Sequence, residues 1–162
     1  MSNKTHNRPR PETINALTAG VYPALAMLAG MQLDIFTPLN QQAHDASSLA
    51  KQMGVNPERL EPLLYALVSA NLLTLEKGKF INTPESQEYL VRGKKGYLGG
   101  QHKTFSDLWA ATMMTAESIR TGKPQAKHDF SRMSEESLLA FIEGLDAGAS
   151  AAARRLMKLY DM

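Results

Sequence analysis

The sequence contains no cysteine among its 162 residues. This absence excludes disulfide scaffolds, thiolate metal sites and cysteine nucleophiles, and it favours a cytoplasmic protein. An excess of one charge is also lacking, because 18 basic and 16 acidic residues leave a formal net charge of +2. This balance excludes a strongly basic protein that wraps nucleic acid. A hydrophobic content of 43% excludes a largely disordered chain.

Catalytic and cofactor motifs are lacking as well. No HExxH, GxSxG or P-loop pattern is present. The glycines within residues 93–100 do not follow a predicted strand, so we interpret them as part of a connector. The sequence therefore predicts no catalytic residue, no metal ligand and no cofactor-binding residue in this chain. The four histidines do not stand at metal-ligand spacing; they are His6, His44, His102 and His128.

The beginning of the chain combines a polar tail with an apolar helix. The uncharged residues 16–33 are about as long as the shortest membrane-spanning helices. We predict no membrane span, because their Ala, Gly, Thr and Met content gives a poor transfer free energy. We expect instead a helix kinked at Pro23 and apolar on more than one face. Its main apolar stripe consists of Ile14, Leu17, Val21, Leu25 and Leu28.

The middle of the sequence predicts two helices followed by a β-hairpin. A short helix over residues 47–53 ends at Gly54. A second helix begins at residues 56–58, where a capping residue, a first-turn proline and an acid follow one another. Residues 73–82 then alternate in polarity around a Lys77-Gly78 turn. This order is that of a winged helix-turn-helix, and the fold class is therefore mainly α with a small β-hairpin wing.

Only helices are predicted beyond the connector. Residues 105–119 place apolar side chains on one helical face, and Gly122 closes that helix. A further helix follows Ser134, and a separate alanine-rich helix is expected over residues 147–160. These helices make up a C-terminal helical extension of the winged-helix core.

A DNA-binding transcriptional regulator is one function compatible with this order of elements. The recognition helix would span residues 57–70, where Arg59 is the only cation and Glu58 and Glu61 stand beside it. Contacts to phosphates and base edges require Arg, Lys, Asn or Gln. We therefore do not expect nucleic acid as a partner, although lysines on the wing keep DNA binding as an alternative.

Several motifs follow one another in a fixed order between Ile14 and Tyr160. They are residues 24–36 (ALAMLAGMQLDIF), 48–55 (SLAKQMGV), 60–67 (LEPLLYAL), 71–73 (NLL), 78–84 (GKFINTP) and 141–145 (FIEGL). This series resembles the bacterial and plant O-methyltransferase family, with its "lgifd" opening, its "eLA" and "rlLr.L" run, its "g.y.lt" wing and its "F..aM" helix.

The resemblance implies a winged-helix-like N-terminal domain that builds an intertwined homodimer and forms one wall of the acceptor pocket. In this family a C-terminal Rossmann-like domain binds S-adenosylmethionine and carries the general base. We expect the chain to be a fragment or a truncated form that lacks that domain and is not catalytic alone. S-adenosylmethionine is thus implied only for the missing domain. A standalone dimeric ligand-binding module is a second alternative.

The resemblance also implies two sets of site residues. The apolar stripe of the first helix is the expected dimer interface; from the residues alone, burial within its own domain is the alternative. The expected acceptor is a small, flat, hydrophobic or aromatic molecule, and Trp109 and Met113 suit it because an aromatic edge and a pliable thioether pack well on flat rings. Phe141 and Leu145 complete the expected wall, but core packing is the stronger interpretation for this pair.

We divide the chain into four predicted parts. They are a flexible polar tail (1–12), a dimerisation helix with the winged-helix core (13–92), a Gly/Lys-rich connector (93–103) and a helical extension leading toward the absent cofactor domain (104–162).

Overall fold

The computed structural model describes residues 9–98, 101–125 and 133–160. Within these ranges the chain is mostly helical and has one two-stranded antiparallel sheet, which confirms the predicted fold class. The N-terminal elements are α1 (Glu12–Ala19), α2 (Val21–Gln32), a 3-10 helix (Pro38–Asn40), α3 (Ala46–Met53) and α4 (Pro57–Ser69). The later elements are β1 (Leu73–Glu76), β2 (Lys79–Asn82), α5 (Pro84–Tyr89), α6 (His102–Met113), α7 (Thr115–Thr121) and α8 (Glu135–Leu159).

A single residue, Gly20, separates α1 from α2. The break follows from Pro23, which has no N–H to donate to the carbonyl of Ala19 one turn earlier. The proline costs α2 little, because it stands in the first turn, where N–H groups have no partner within the helix. Gly20 keeps a helical backbone (φ −62°, ψ −17°), so the structure shows an interrupted hydrogen-bond ladder one turn before Pro23, where we expected a kink.

Helix α2 ends in a Schellman motif. The N–H of Ile35 donates to the carbonyl of Gly30 (3.0 Å), and the N–H of Asp34 donates to the carbonyl of Met31 (3.1 Å). Asp34 has a left-handed backbone with φ 56°, a conformation that glycine usually supplies at this position. The carbonyls at the end of α2 are thus satisfied before the chain turns into the core.

Side-chain caps fix the two helices of the helix-turn-helix. The Oδ1 of Asp45 accepts the N–H of Ser48 (2.8 Å) and begins α3 at Ala46, one residue before the predicted start. This backbone donor holds the pKa of the Asp45 carboxyl below its usual value. Gly54 ends α3 in the left-handed region, and Asn56 caps α4 as expected.

The hairpin and four neighbouring helices enclose the hydrophobic core. Leu73 pairs with Asn82 and Glu76 pairs with Lys79, so that Lys77 and Gly78 form the predicted turn. Helix α4 lies at the centre, where it contacts α2, α3 and β1. The largest fully buried apolar side chains are Ile35, Phe36, Leu49, Leu64, Leu67, Leu73, Phe80 and Val91.

Residues 93–98 of the connector fold back onto α5. The N–H of Leu98 donates to the carbonyl of Tyr89 (2.7 Å), and the N–H of Tyr97 donates to the carbonyl of Lys94 (3.1 Å). Burial raises the pKa of the Tyr97 hydroxyl above its usual value. Residues 1–8 of the predicted tail and residues 99–100 of the connector lie outside the described residues.

The C-terminal helices form a layer beside this core. Helix α6 packs on both α2 and α8, and Gln32 donates to the hydroxyl of Ser106 (3.1 Å). The expected single helix over residues 105–119 is divided between α6 and α7. The hydroxyl of Thr115 donates to the carbonyl of Thr112 (2.6 Å), which competes with the helical hydrogen bonds at this point.

The two helices predicted after Ser134 are one continuous helix of 25 residues, α8. The prediction of two separate helices was wrong. Residues 144–148 contain two glycines, which weaken a helix, but no proline, which would interrupt it. Alanine is the best helix former and carries the helix across this segment.

Candidate dimerisation interface

The apolar stripe predicted for the dimer interface lies on the surface of the chain. Ile14 is 66% exposed and Leu17 is 76% exposed, while Val21 and Leu25 are about half exposed. Leu28 is half-buried. No residue of α1 is buried. From Ile14 to Leu25 the stripe thus lies without a covering element among the described residues.

The predicted acceptor wall is divided between two neighbouring helices. Trp109 and Met113 stand one turn apart on α6, and Phe141 and Leu145 stand one turn apart on α8, which packs on α6. The ring of Trp109 is half-buried and stacks on Phe105 at a centroid distance of 6.1 Å and an angle of 11°. Met113 is 86% exposed and Leu145 is about half exposed, whereas Phe141 is half-buried.

The apolar faces predicted for the C-terminal helices are exposed, and the exposed surface continues to the end of α8, which the sequence analysis did not assign to a site. All side chains of residues 152–160 are exposed, so the last part of α8 has no cover in the described chain. Apolar residues within the alanine-rich segment were the available signal for this part. The exposed residues are Leu108, Met114, Ile119, Leu139, Ile142, Leu156, Met157, Leu159 and Tyr160. Tyr22 and Leu33 add to the exposed apolar side of α2.

A depression of about 480 Å³ lies between the start of α3, the start of α4 and the hairpin turn. The carboxylates of Asp45, Glu58 and Glu61 line it, and its lining includes no lysine or arginine. Tyr65 lies in its wall with its ring edge-on to Phe80, at a centroid distance of 5.4 Å. A DNA-binding winged helix presents this side of its second helix to the nucleic acid, and these acids would repel phosphates.

The described residues do not fit S-adenosylmethionine. Nucleotide-type cofactors bind at the carboxyl ends of parallel strands, whereas the one sheet within the described ranges is an antiparallel hairpin. The same residues hold no group of three or more His, Asp or Glu side chains that could bind a metal ion. No chemical step is therefore assigned to these residues.

Known proteins similar to this chain are methyltransferases. Residues 16–92 match the family model of the O-methyltransferase dimerisation domain. The tetracenomycin polyketide synthesis 8-O-methyl transferase TcmO of Streptomyces glaucescens is 32% identical over 127 residues, which cover 77% of this chain and 37% of that protein. The 3-hydroxy-5-methyl-1-naphthoate 3-O-methyltransferase of Streptomyces sahachiroi is 28% identical over 157 residues, which cover 94% of this chain and 46% of that protein.

The fold is also found in solved methyltransferase structures. Human N-acetylserotonin methyltransferase in complex with SAM matches with a TM-score of 0.83 at 22% identity, over 98% of this chain and 50% of that one. Fold and exposed helical face together define a winged-helix dimerisation module. The chain belongs to the O-methyltransferase family, and residues 16–92 are its dimerisation domain. It spans less than half of the length of these two curated relatives.

Proposed function

We propose that this chain forms a homodimer through the apolar stripe on α1 and α2 and the exposed apolar faces of α6 and α8. In this proposal it is the assembly and acceptor-binding part of an S-adenosylmethionine-dependent O-methyltransferase. The observation that carries the proposal is the exposed stripe from Ile14 to Leu25, within and beside a segment that matches a dimerisation domain. Apolar surface of this extent marks a protein interface.

The dimer is tested by comparing two variants that each add one carboxylate to α1. Leu17 lies in the stripe, and Asn15 lies 200° around the helix from it. In a symmetric dimer, Leu17→Asp replaces one interface leucine in each copy. We expect it to raise the dissociation constant of the dimer at least about a hundredfold. Asn15→Asp is the matched control and should leave the dissociation constant nearly unchanged.

Sedimentation velocity from nanomolar to high micromolar protein measures this dissociation constant. Circular dichroism checks that both variants keep the helical content of the wild type. A wild-type chain that is monomeric throughout this range contradicts the proposed function, and equal effects of the two variants contradict the assigned face.

The acceptor-binding half of the proposal rests on α6 and α8. Trp109 is fixed by its stack on Phe105, and the neighbouring Met113 leaves its thioether open to a ligand. Phe141 and Leu145 would add apolar contacts from the adjacent helix. The naphthoate in the name of one relative is a flat aromatic molecule of the kind that such a wall would bind. S-adenosylmethionine, the methyl donor of the reaction, would be bound by another domain.

Fluorescence of Trp109, the only tryptophan, reports this binding directly. We expect saturable quenching by 3-hydroxy-2-naphthoate, which serves as the probe. Met113→Ala should raise its dissociation constant about fivefold, because apolar contact area is lost. Ile119→Ala, an exposed position on α7, is the control and should have little effect. Unchanged fluorescence at millimolar probe contradicts acceptor binding at Trp109.

We infer that the apolar helices meet protein and not lipid. The stretch Glu12–Gln32 has the length and apolarity of a membrane span, with 21 residues and a mean hydropathy of 1.4. Its last part is buried within this chain, at Ala26, Gly30 and Met31. The remaining uncovered part is shorter than the roughly 20 residues that a span requires.

The acidic depression opposes nucleic acid as a partner, because its carboxylates would repel phosphates. The cysteine-free composition supports a cytoplasmic location.

A further inference from the structure

Helix α1 has few stabilising features of its own. It is eight residues long, none of which is buried, and no side chain caps its N-terminus, which follows Pro11. Helix ends fray where neither a cap nor packing holds them, because most helical stability in proteins comes from tertiary packing. The contacts of the described residues therefore do little to stabilise a helix at this position.

The composition of α1 adds to this deficit. Thr13, Ile14, Asn15 and Thr18 make up half of the helix and are poorer helix formers than alanine or leucine. Continuation from α2 gives partial support: the N–H of Gly20 donates to the carbonyl of Ala16 (2.9 Å), but Pro23 has no N–H for the carbonyl of Ala19. Helix α1 is consequently an exposed terminal extension of α2.

We propose that α1 becomes helical only when it lies on a second copy of this chain, so that dimerisation and ordering of α1 are one event. This inference rests on the proposed homodimer. The second copy is the indicated occupant because the stripe continues from exposed Leu17 through Leu25 to half-buried Leu28, inside the segment that matches a dimerisation domain.

Glycine substitutions on the far side of α1 test the coupling without touching the interface. Ala16 and Ala19 lie roughly opposite the stripe, and both are exposed. If α1 folds only in the dimer, each substitution acts in both copies, so Ala16→Gly and Ala19→Gly should each raise the dissociation constant about 25-fold, and the double variant about 600-fold. Lys51→Gly, on the exposed side of core-anchored α3, is the matched control and should leave the dissociation constant unchanged.

Hydrogen exchange of the wild-type chain gives an independent measurement. Below the dissociation constant, the amides of α1 should exchange at the rate of an unfolded peptide, while those of Gly30 and Met31 stay protected. Above it, protection of α1 should rise with the dimer fraction.

The outcomes separate this inference from the proposed function. A dimer whose affinity is unaffected by the far-side glycines, or a monomer with protected α1 amides, overturns the coupling and leaves the homodimer standing. A chain that stays monomeric at all concentrations overturns the homodimer, and with it the second copy as the occupant of α1.

Discussion

Asp34 offers a quantitative test of how the end of α2 is held. Its backbone is left-handed, with φ 56°. Its carboxylate accepts the hydroxyl of Thr37 (2.6 Å) and lies 2.8 Å from Nε of Arg92. The N–H of Arg92 in turn donates to the hydroxyl of Thr37 (3.1 Å). These contacts connect the end of α2 to the residues that follow α5.

Two substitutions at this position separate the backbone effect from the side-chain contacts. A hydrogen bond to a charged group contributes about 1.5 kcal/mol, and a partly exposed ion pair about 0.5 kcal/mol. Asp34→Ala loses both contacts but keeps the left-handed backbone, so the free energy of unfolding should fall by about 2 kcal/mol. Asp34→Gly loses the same contacts but removes roughly 1 kcal/mol of backbone strain, so its net loss should be about 1 kcal/mol.

Urea denaturation at a fixed protein concentration measures these free energies, because the stability of a dimer depends on concentration. Arg92→Ala, which removes the ion pair and the hydrogen bond between the Arg92 and Tyr97 side chains, is the control and should cost about 1 kcal/mol. Equal stability of the alanine and glycine variants would refute the argument that Asp34 carries backbone strain. A glycine variant more stable than the wild type would refute the estimate for the carboxylate contacts.

Three further predictions concern packing and pH. Gly30→Ala places a methyl carbon 3.2 Å from Phe36 Cε2 and 3.3 Å from Leu67 Cδ1, so overpacking should outweigh the gain in helix propensity and lower stability by about 1 kcal/mol in urea denaturation. Leu64→Ala empties a fully buried site and should cost about 3 kcal/mol by the same measurement. The lowered pKa of Asp45 stabilises the fold above the usual value of 3.8, and this stabilisation is lost as the pH falls through the folded-state pKa. Asp45→Asn keeps a capping side chain, so the advantage of the wild type should shrink below about pH 4 in acid titrations of thermal stability; an advantage that does not change with pH would contradict this reasoning.

The winged-helix core was predictable because local signals mark its boundaries. Asn56 caps the helix that Pro57 begins, and Gly54 ends the one before it. The Lys77-Gly78 turn sets the register of the hairpin. Each signal depends on backbone geometry that neighbouring residues determine, so no knowledge of distant packing was needed.

The later helices were predicted less well because their limits depend on weaker signals. Glycines within residues 144–148 do not stop α8, since an alanine-rich helix tolerates them at modest cost. The division at Met114 depends on hydroxyl bonds from Thr112 and Thr115, which do not form a recognised stop signal. The side chains at the end of α8 are exposed because no other described element packs on them. Helical periodicity does not contain that information.

The apolar stripes on α1–α2 and on α4 show that helical periodicity does not predict which element covers an apolar face. Leu60, Leu64 and Leu67 follow helical spacing and are buried because α2, α3 and β1 surround α4. Leu17 has the same kind of spacing relative to Val21, yet α1 extends beyond these elements and its side chains stay exposed. The pattern indicates that a face is to be buried, whereas the fold decides which chain buries it. Nothing within the described residues covers the first stripe, and a second chain is the cover that we propose.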